Sequence, residues 1–158
     1  MGYRQISYRH HGNHLVFERN AQKIKLLGLF DRAIWKTQHL QSGSLLQMQL
    51  MGDVRYPNTK PGGISSLTGE RMELVSVLKD ERCHGGLIVV IMKDPITNVL
   101  AEVNYWLCSQ SPTIRTWVRV RNDSDTSVRI EFVYSTILYN LATGGVRPWY
   151  EKAYVHMW

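Results

Sequence analysis

Two alternating runs in the second half of the chain constrain its fold more than any other feature. In residues 114–121, Ile114, Thr116, Val118 and Val120 fall on one side of an extended chain and Arg115, Trp117, Arg119 and Arg121 on the other. That period of two marks a half-buried strand. Residues 122–127, Asn-Asp-Ser-Asp-Thr-Ser, interrupt the run with side chains that bond their own backbone and tolerate turn conformations. Alternation then resumes, with Val128, Ile130, Phe132 and Tyr134 on one face and Arg129 and Glu131 on the other. Two such runs around a short polar break predict an antiparallel hairpin. One face belongs in a core, and the Arg-rich face looks at solvent, a second layer or a partner.

The rest of the chain supplies further strands. Residues 15–18 and 24–30 flank the polar turn 19–23 and read as a first hairpin, and the apolar residues 45–51 fit another strand. Residues 72–79 alternate, residues 80–86 turn, and residues 87–93 form a continuous apolar run of the kind buried on both faces. Residues 93–98 turn again, with Pro95 barred from a central ladder, and residues 99–107 form a strand leading to the runs above. Residues 33–40 fit a helical turn or a strand. Residues 52–69, rich in Pro and Gly, read as a long loop of the functional or disordered kind. Its Gly62-Gly63 pair lacks the Gly-Lys-Ser/Thr that phosphate cradling requires. Regularly spaced strands without a long amphipathic helix predict an all-β antiparallel sandwich. A length of 158 residues fits one domain, and 44% hydrophobic against 20% charged residues is the balance of a folded chain.

The formal charge of +6 raises nucleic acid or an anionic membrane as partners. The basic residues are scattered, with no block of five and no nucleic-acid motif, so a solvated basic surface is the better reading. Cys83 and Cys108 allow one bridge at most, and a reducing compartment suits them better. The start has no apolar signal region and no run approaches a membrane span, which predicts a soluble, cytoplasmic chain. His10, His11 and His14 lack the carboxylate or Cys that would complete a metal set, and exposed histidines are expected there.

Several strings carry a family resemblance. Residues 113–125, Thr-Ile-Arg-Thr-Trp-Val-Arg-Val-Arg-Asn-Asp-Ser-Asp, are followed by residues 128–135, Val-Arg-Ile-Glu-Phe-Val-Tyr-Ser, and a tail at residues 138–145. Upstream stand residues 71–76, Arg-Met-Glu-Leu-Val-Ser, and then Asp80-Glu81-Arg82. In this order they resemble the amino-terminal β-supersandwich domain of α-galactosidase-like glycoside hydrolases, family 36. The resemblance runs from about Leu45 to the end of the chain. It implies a supersandwich-type fold, incomplete at residues 146–158, which stop inside an apolar, aromatic stretch where family members continue into more strands and a (β/α)8 barrel. Residues 1–158 would then be one amino-terminal β-sandwich domain, truncated before the rest of the sandwich and the catalytic barrel. The implied parent hydrolyses α-galactosides with retention, without metal or organic cofactor, as a homo-oligomer.

Retention needs two carboxyl groups about 5–5.5 Å apart. In the family both lie on the barrel, one within Lys-Trp-Asp, and this chain has no such motif, so it alone is expected to catalyse nothing. Residues 52–57, Gly-Asp-Val-Arg-Tyr-Pro, resemble a family Asp-Phe-Arg-x-Pro loop whose aspartate reaches the substrate sugar. The resemblance implies that Asp53 accepts bonds from sugar hydroxyls and that Arg55 orients the loop, although Val54 stands where the family has an aromatic residue. Trp117 and Arg115, with Arg119 and Arg121, suit either stacking on a sugar ring or packing at a domain interface. Two functions stay open: an accessory, substrate-rim domain of such a hydrolase, and a stand-alone carbohydrate-binding sandwich without catalysis.

Overall fold

The structure, a computed structural model, describes residues 2, 4–30, 43–52, 67–111 and 113–135. Among them nine strands and one short helix form, and every strand pairing is antiparallel. The first sheet has the order β1 (Arg4–His10), β2 (Asn13–Arg19), β3 (Ile24–Phe30). A second pairs β4 (Gln47–Leu50) with β9 (Ile130–Tyr134). The third is a meander of β5 (Glu73–Arg82), β6 (Gly85–Lys93), β7 (Val99–Cys108) and β8 (Ile114–Asn122). The helix α1 (Leu67–Arg71) precedes β5, at the end of the stretch read as a loop.

Strand β1 went unread in the sequence. It alternates, with Ile6 and Tyr8 half-buried and Gln5, Ser7 and Arg9 exposed. His11 (φ 43°) and Gly12 (φ 90°) close a two-residue turn onto Asn13, and positive φ at both central positions is what the right-handed twist of a hairpin favours. The hairpin of β2 and β3 forms where the sequence placed it, around a turn in which the Asn20 side-chain oxygen accepts from the Gln22 and Lys23 N–H groups at 2.9 and 2.7 Å.

The runs at 114–121 and 128–134 are strands, but they do not pair with each other. Strand β8 pairs with β7, and β9 pairs with β4 in a different sheet. Residues 123–129 carry the chain between sheets, shaped by Asn122 Nδ2 donating to Thr126 O at 2.7 Å and Ser124 Oγ donating to the same oxygen at 2.9 Å. The second run also does not keep one buried face. Val133, opposite the fully buried Met48, packs on the core, whereas Ile130 and Tyr134 are 41% and 49% exposed. The register against β4 shifts by one residue between Gln49 and Leu50, so Val128 and Val133 both pack on the core while Ile130 between them is exposed.

One hydrophobic cluster takes side chains from all three sheets: Leu15, Phe17 and Leu26 from the first, Met48 and Leu50 from the second, and Ile88, Val90, Met92, Val103 and Tyr105 from the third. Phe17 stands edge-on to Tyr8 at 6.0 Å and to Tyr105 at 5.6 Å between ring centroids, joining the first sheet to the third. Polar links tie the same bodies together. The Lys23 ammonium donates to the carbonyls of Glu70, Arg71 and Met72 at 3.1, 2.7 and 2.8 Å, satisfying acceptors that the end of α1 leaves open. Arg71 forks onto Asp94 in the β6–β7 turn, with Nε–Oδ1 2.6 Å and Nη2–Oδ2 2.7 Å.

Candidate functional site

The pleat sends alternate residues of the third sheet outward, and the register aligns them in rows. Leu78, Val89, Asn104 and Trp117 form one row across all four strands. Ser76, Ile91, Glu102 and Arg119 form the row on one side, and Asp80, Leu87, Trp106 and Arg115 the row on the other. The face is therefore apolar along β6, mixed along β5, where Ser76 and Asp80 flank Leu78, and carries a Trp/Arg ladder along β8. The buried face of residues 87–93 holds Ile88, Val90 and Met92, whereas Val89 and Ile91 are only half-covered, so β6 is not buried on both sides throughout.

Leu78 is 52% and Trp117 40% exposed, large values for such apolar groups. Asn104 lies buried between Val89 and Trp117 in its row, its Nδ2 donating to Glu102 O at 2.9 Å. The charges of the ladder are partly matched. Arg119 Nη1 lies 3.3 Å from Glu102 Oε2, and Arg121 grips Asp123 with two bonds of 2.6 and 3.0 Å. That grip holds the Asp123 carboxyl below its usual range. Arg115 has no carboxylate on it among the described residues and stands beside Trp106 and Trp117. Trp106 lies over Gly85, where a Cβ would come within 2.5 Å of its Cζ2 atom; the glycine lets the indole lie close to the sheet.

Of the four residues singled out in the sequence, Trp117 and Arg115 meet on this face, and Asp53 and Arg55 lie outside the described residues. Leu78, Val89, Asn104, Glu102 and Trp106 share the face and were missed. Alternation within each strand carried the signal, but the cross-strand register that groups them did not exist in it.

The histidines depart from expectation. His11 is exposed, but His14 is buried, and burial followed by the Arg9 charge lowers its pKa. His10 Nε2 lies 2.6 Å from Ser109 Oγ. Cys108 is half-buried, with its thiol pKa lowered by bonds from the Gln110 N–H and the Ser111 hydroxyl, while Cys83 is exposed. Among the described residues no three His, Cys, Asp or Glu side chains gather as a metal site, and no helix is long and apolar enough to cross a membrane. No family model, no curated protein and no solved structure matches the chain.

Proposed function

We propose that this chain is an accessory β-sandwich domain of an α-galactosidase-like glycoside hydrolase, which braces the catalytic (β/α)8 barrel of its parent through the outer face of the third sheet. The observation that carries the reading is that face itself: a row of Leu78, Val89, Asn104 and Trp117, flanked by Arg115 and Arg119 at its β8 end and by Asp80 at its β5 end, with Leu78 and Trp117 left to solvent. Apolar side chains rimmed by charges are the composition of a surface that meets another body. The motif order from residue 71 to residue 135 supplies the family, and the antiparallel sheets around one core are compatible with it. Galactoside hydrolysis belongs to the parent, with the barrel supplying the carboxylates and Asp53 and Arg55 lending contacts at the rim.

A second reading rests on the same Trp117. An exposed indole beside Arg115 and an Arg119–Glu102 pair offers a stacking surface and hydrogen-bond partners to a sugar ring, as in a stand-alone glycan-binding module. Sedimentation and tryptophan fluorescence separate the two. The accessory reading expects the isolated chain to self-associate through the bare face, Leu78→Lys to restore a monomer, and galactosides to leave the fluorescence unchanged. Saturable quenching by a glycan, lost in Trp117→Ala, would replace it with the binding module.

A further inference from the structure

The first sheet carries a second feature, independent of the sugar-related reading. Strands β1 and β2 set Arg4 directly opposite Arg19, two guanidinium groups in one cross-strand pair. Like charges so placed repel. Among the described residues no carboxylate is ion-paired with them, and none, Glu18 included, lines the hollow they border. The pair borders a hollow of about 740 Å³, open to solvent and lined also by Gln5, Ser7 and Asn20, within the size range of small-ligand sites. Asn20 lines the hollow, and with its side-chain oxygen engaged by the Gln22 and Lys23 N–H groups its amide nitrogen remains a donor. Strand β1 is also an edge, paired only with β2 among the described residues, which leaves outward N–H groups along the same rim.

We propose that this hollow is a binding site for a tetrahedral oxyanion, a phosphate or phosphate ester, gripped between the guanidinium groups of Arg4 and Arg19 with Asn20 donating a third contact. The ligand supplies the negative charge that the cross-strand pair lacks, and guanidinium forks match its oxygens in geometry as well as charge.

Amide NMR of the full chain at constant ionic strength tests this, with inorganic phosphate, glucose 6-phosphate and neutral glucose as probes. Saturable shifts confined to residues 4–7 and 19–21 are expected with both phosphates and none with glucose. Tighter binding of the ester than of the free ion assigns a phosphosugar as the source, and equal binding assigns the ion. Arg4→Gln and Arg19→Gln should each weaken binding by about tenfold or more, the scale of one charge-assisted contact. Arg19→Lys, which keeps the charge and loses the fork, should fall between, and Arg119→Gln on the other sheet should change nothing. Absence of saturable shifts, shifts centred on the β8 arginines, or affinity unchanged in Arg4→Gln and Arg19→Gln would overturn the assignment.

Discussion

Replacing Asp94 by Asn removes one charge from the best-buried ion pair of the described structure. The Asp94 side chain is fully buried and accepts from Arg71 Nε and Nη2 at 2.6 and 2.7 Å, Thr97 Oγ1 at 2.5 Å and the Ile96 N–H at 3.3 Å. Arg71 is only 17% exposed, so its guanidinium stays largely out of water when the Asp94 charge is removed. Asn offers one acceptor oxygen and turns an NH2 toward the guanidinium. Removing one member of a buried pair costs about 3–5 kcal/mol, and because the turn bonds partly survive we expect about 3 kcal/mol here. That is a large share of the roughly 5–15 kcal/mol that holds a domain folded. Burial alone would raise the Asp94 pKa, but the bonds from Arg71, Thr97 and Ile96 outweigh it, and the folded-state value lies below the ordinary one. A depressed carboxylate stabilises the fold fully above its unfolded pKa, near 3.9, and that contribution fades as pH falls toward the folded value. Urea unfolding at pH 7 and at steps below pH 4 reads both effects. Wild type should lose stability through the acid range and approach Asp94→Asn, whose own profile is flatter there. A loss under about 0.5 kcal/mol at pH 7, well below the scale of a broken buried pair, would refute the reasoning.

Other sites give sharper or smaller effects. Lys23→Met removes a donor to the carbonyls of Glu70, Arg71 and Met72 and should cost about 1 kcal/mol by the same denaturant assay. Gly85→Ala drives a Cβ into the Trp106 indole and the Leu107 carbonyl, so we expect a loss of about 1–3 kcal/mol and an altered tryptophan emission. His11→Asn, at φ 43°, should stabilise the β1–β2 turn by a few tenths of a kcal/mol, because Asn tolerates the left-handed region better. His14 has a lowered folded-state pKa, so its contribution is intact above pH 6.5 and fades as pH drops below it. His14→Gln should remove that part of the stability profile between pH 7 and 5.

Strand identity was legible where alternation was long. Residues 99–107 and 114–121 declared themselves because the faces differ chemically, with Val103 and Tyr105 against Glu102 and Trp106 in one and Val118 against Trp117 in the other. Strand partners were legible for the hairpin of β2 and β3 but not for the last two runs. The polar residues 122–127 serve equally well to reverse a chain within a sheet or to carry it to the next, and the pairing of β9 with β4 decides between them. The face of β9 departs from strict alternation because its register against β4 shifts beside Leu50, which leaves Val133 opposite the buried Met48 and Ile130 exposed. Asp94 and Lys23 gave no local sign of importance. Their partners lie 23 and 47–49 residues away, and charged residues in turns are ordinarily solvated. On the candidate face, Trp117 and Arg115 stood out by residue type, whereas Leu78 and Asn104 join them only through the register of four strands.

The parentage of the domain is tested most directly by reading the coding frame past the codon for Trp158. The account predicts that it continues into further strands and a barrel carrying Lys-Trp-Asp, which would make Asp53 the first residue to mutate in the whole enzyme. A stop codon immediately after Trp158 would contradict it and leave the Trp117 face to a ligand of its own.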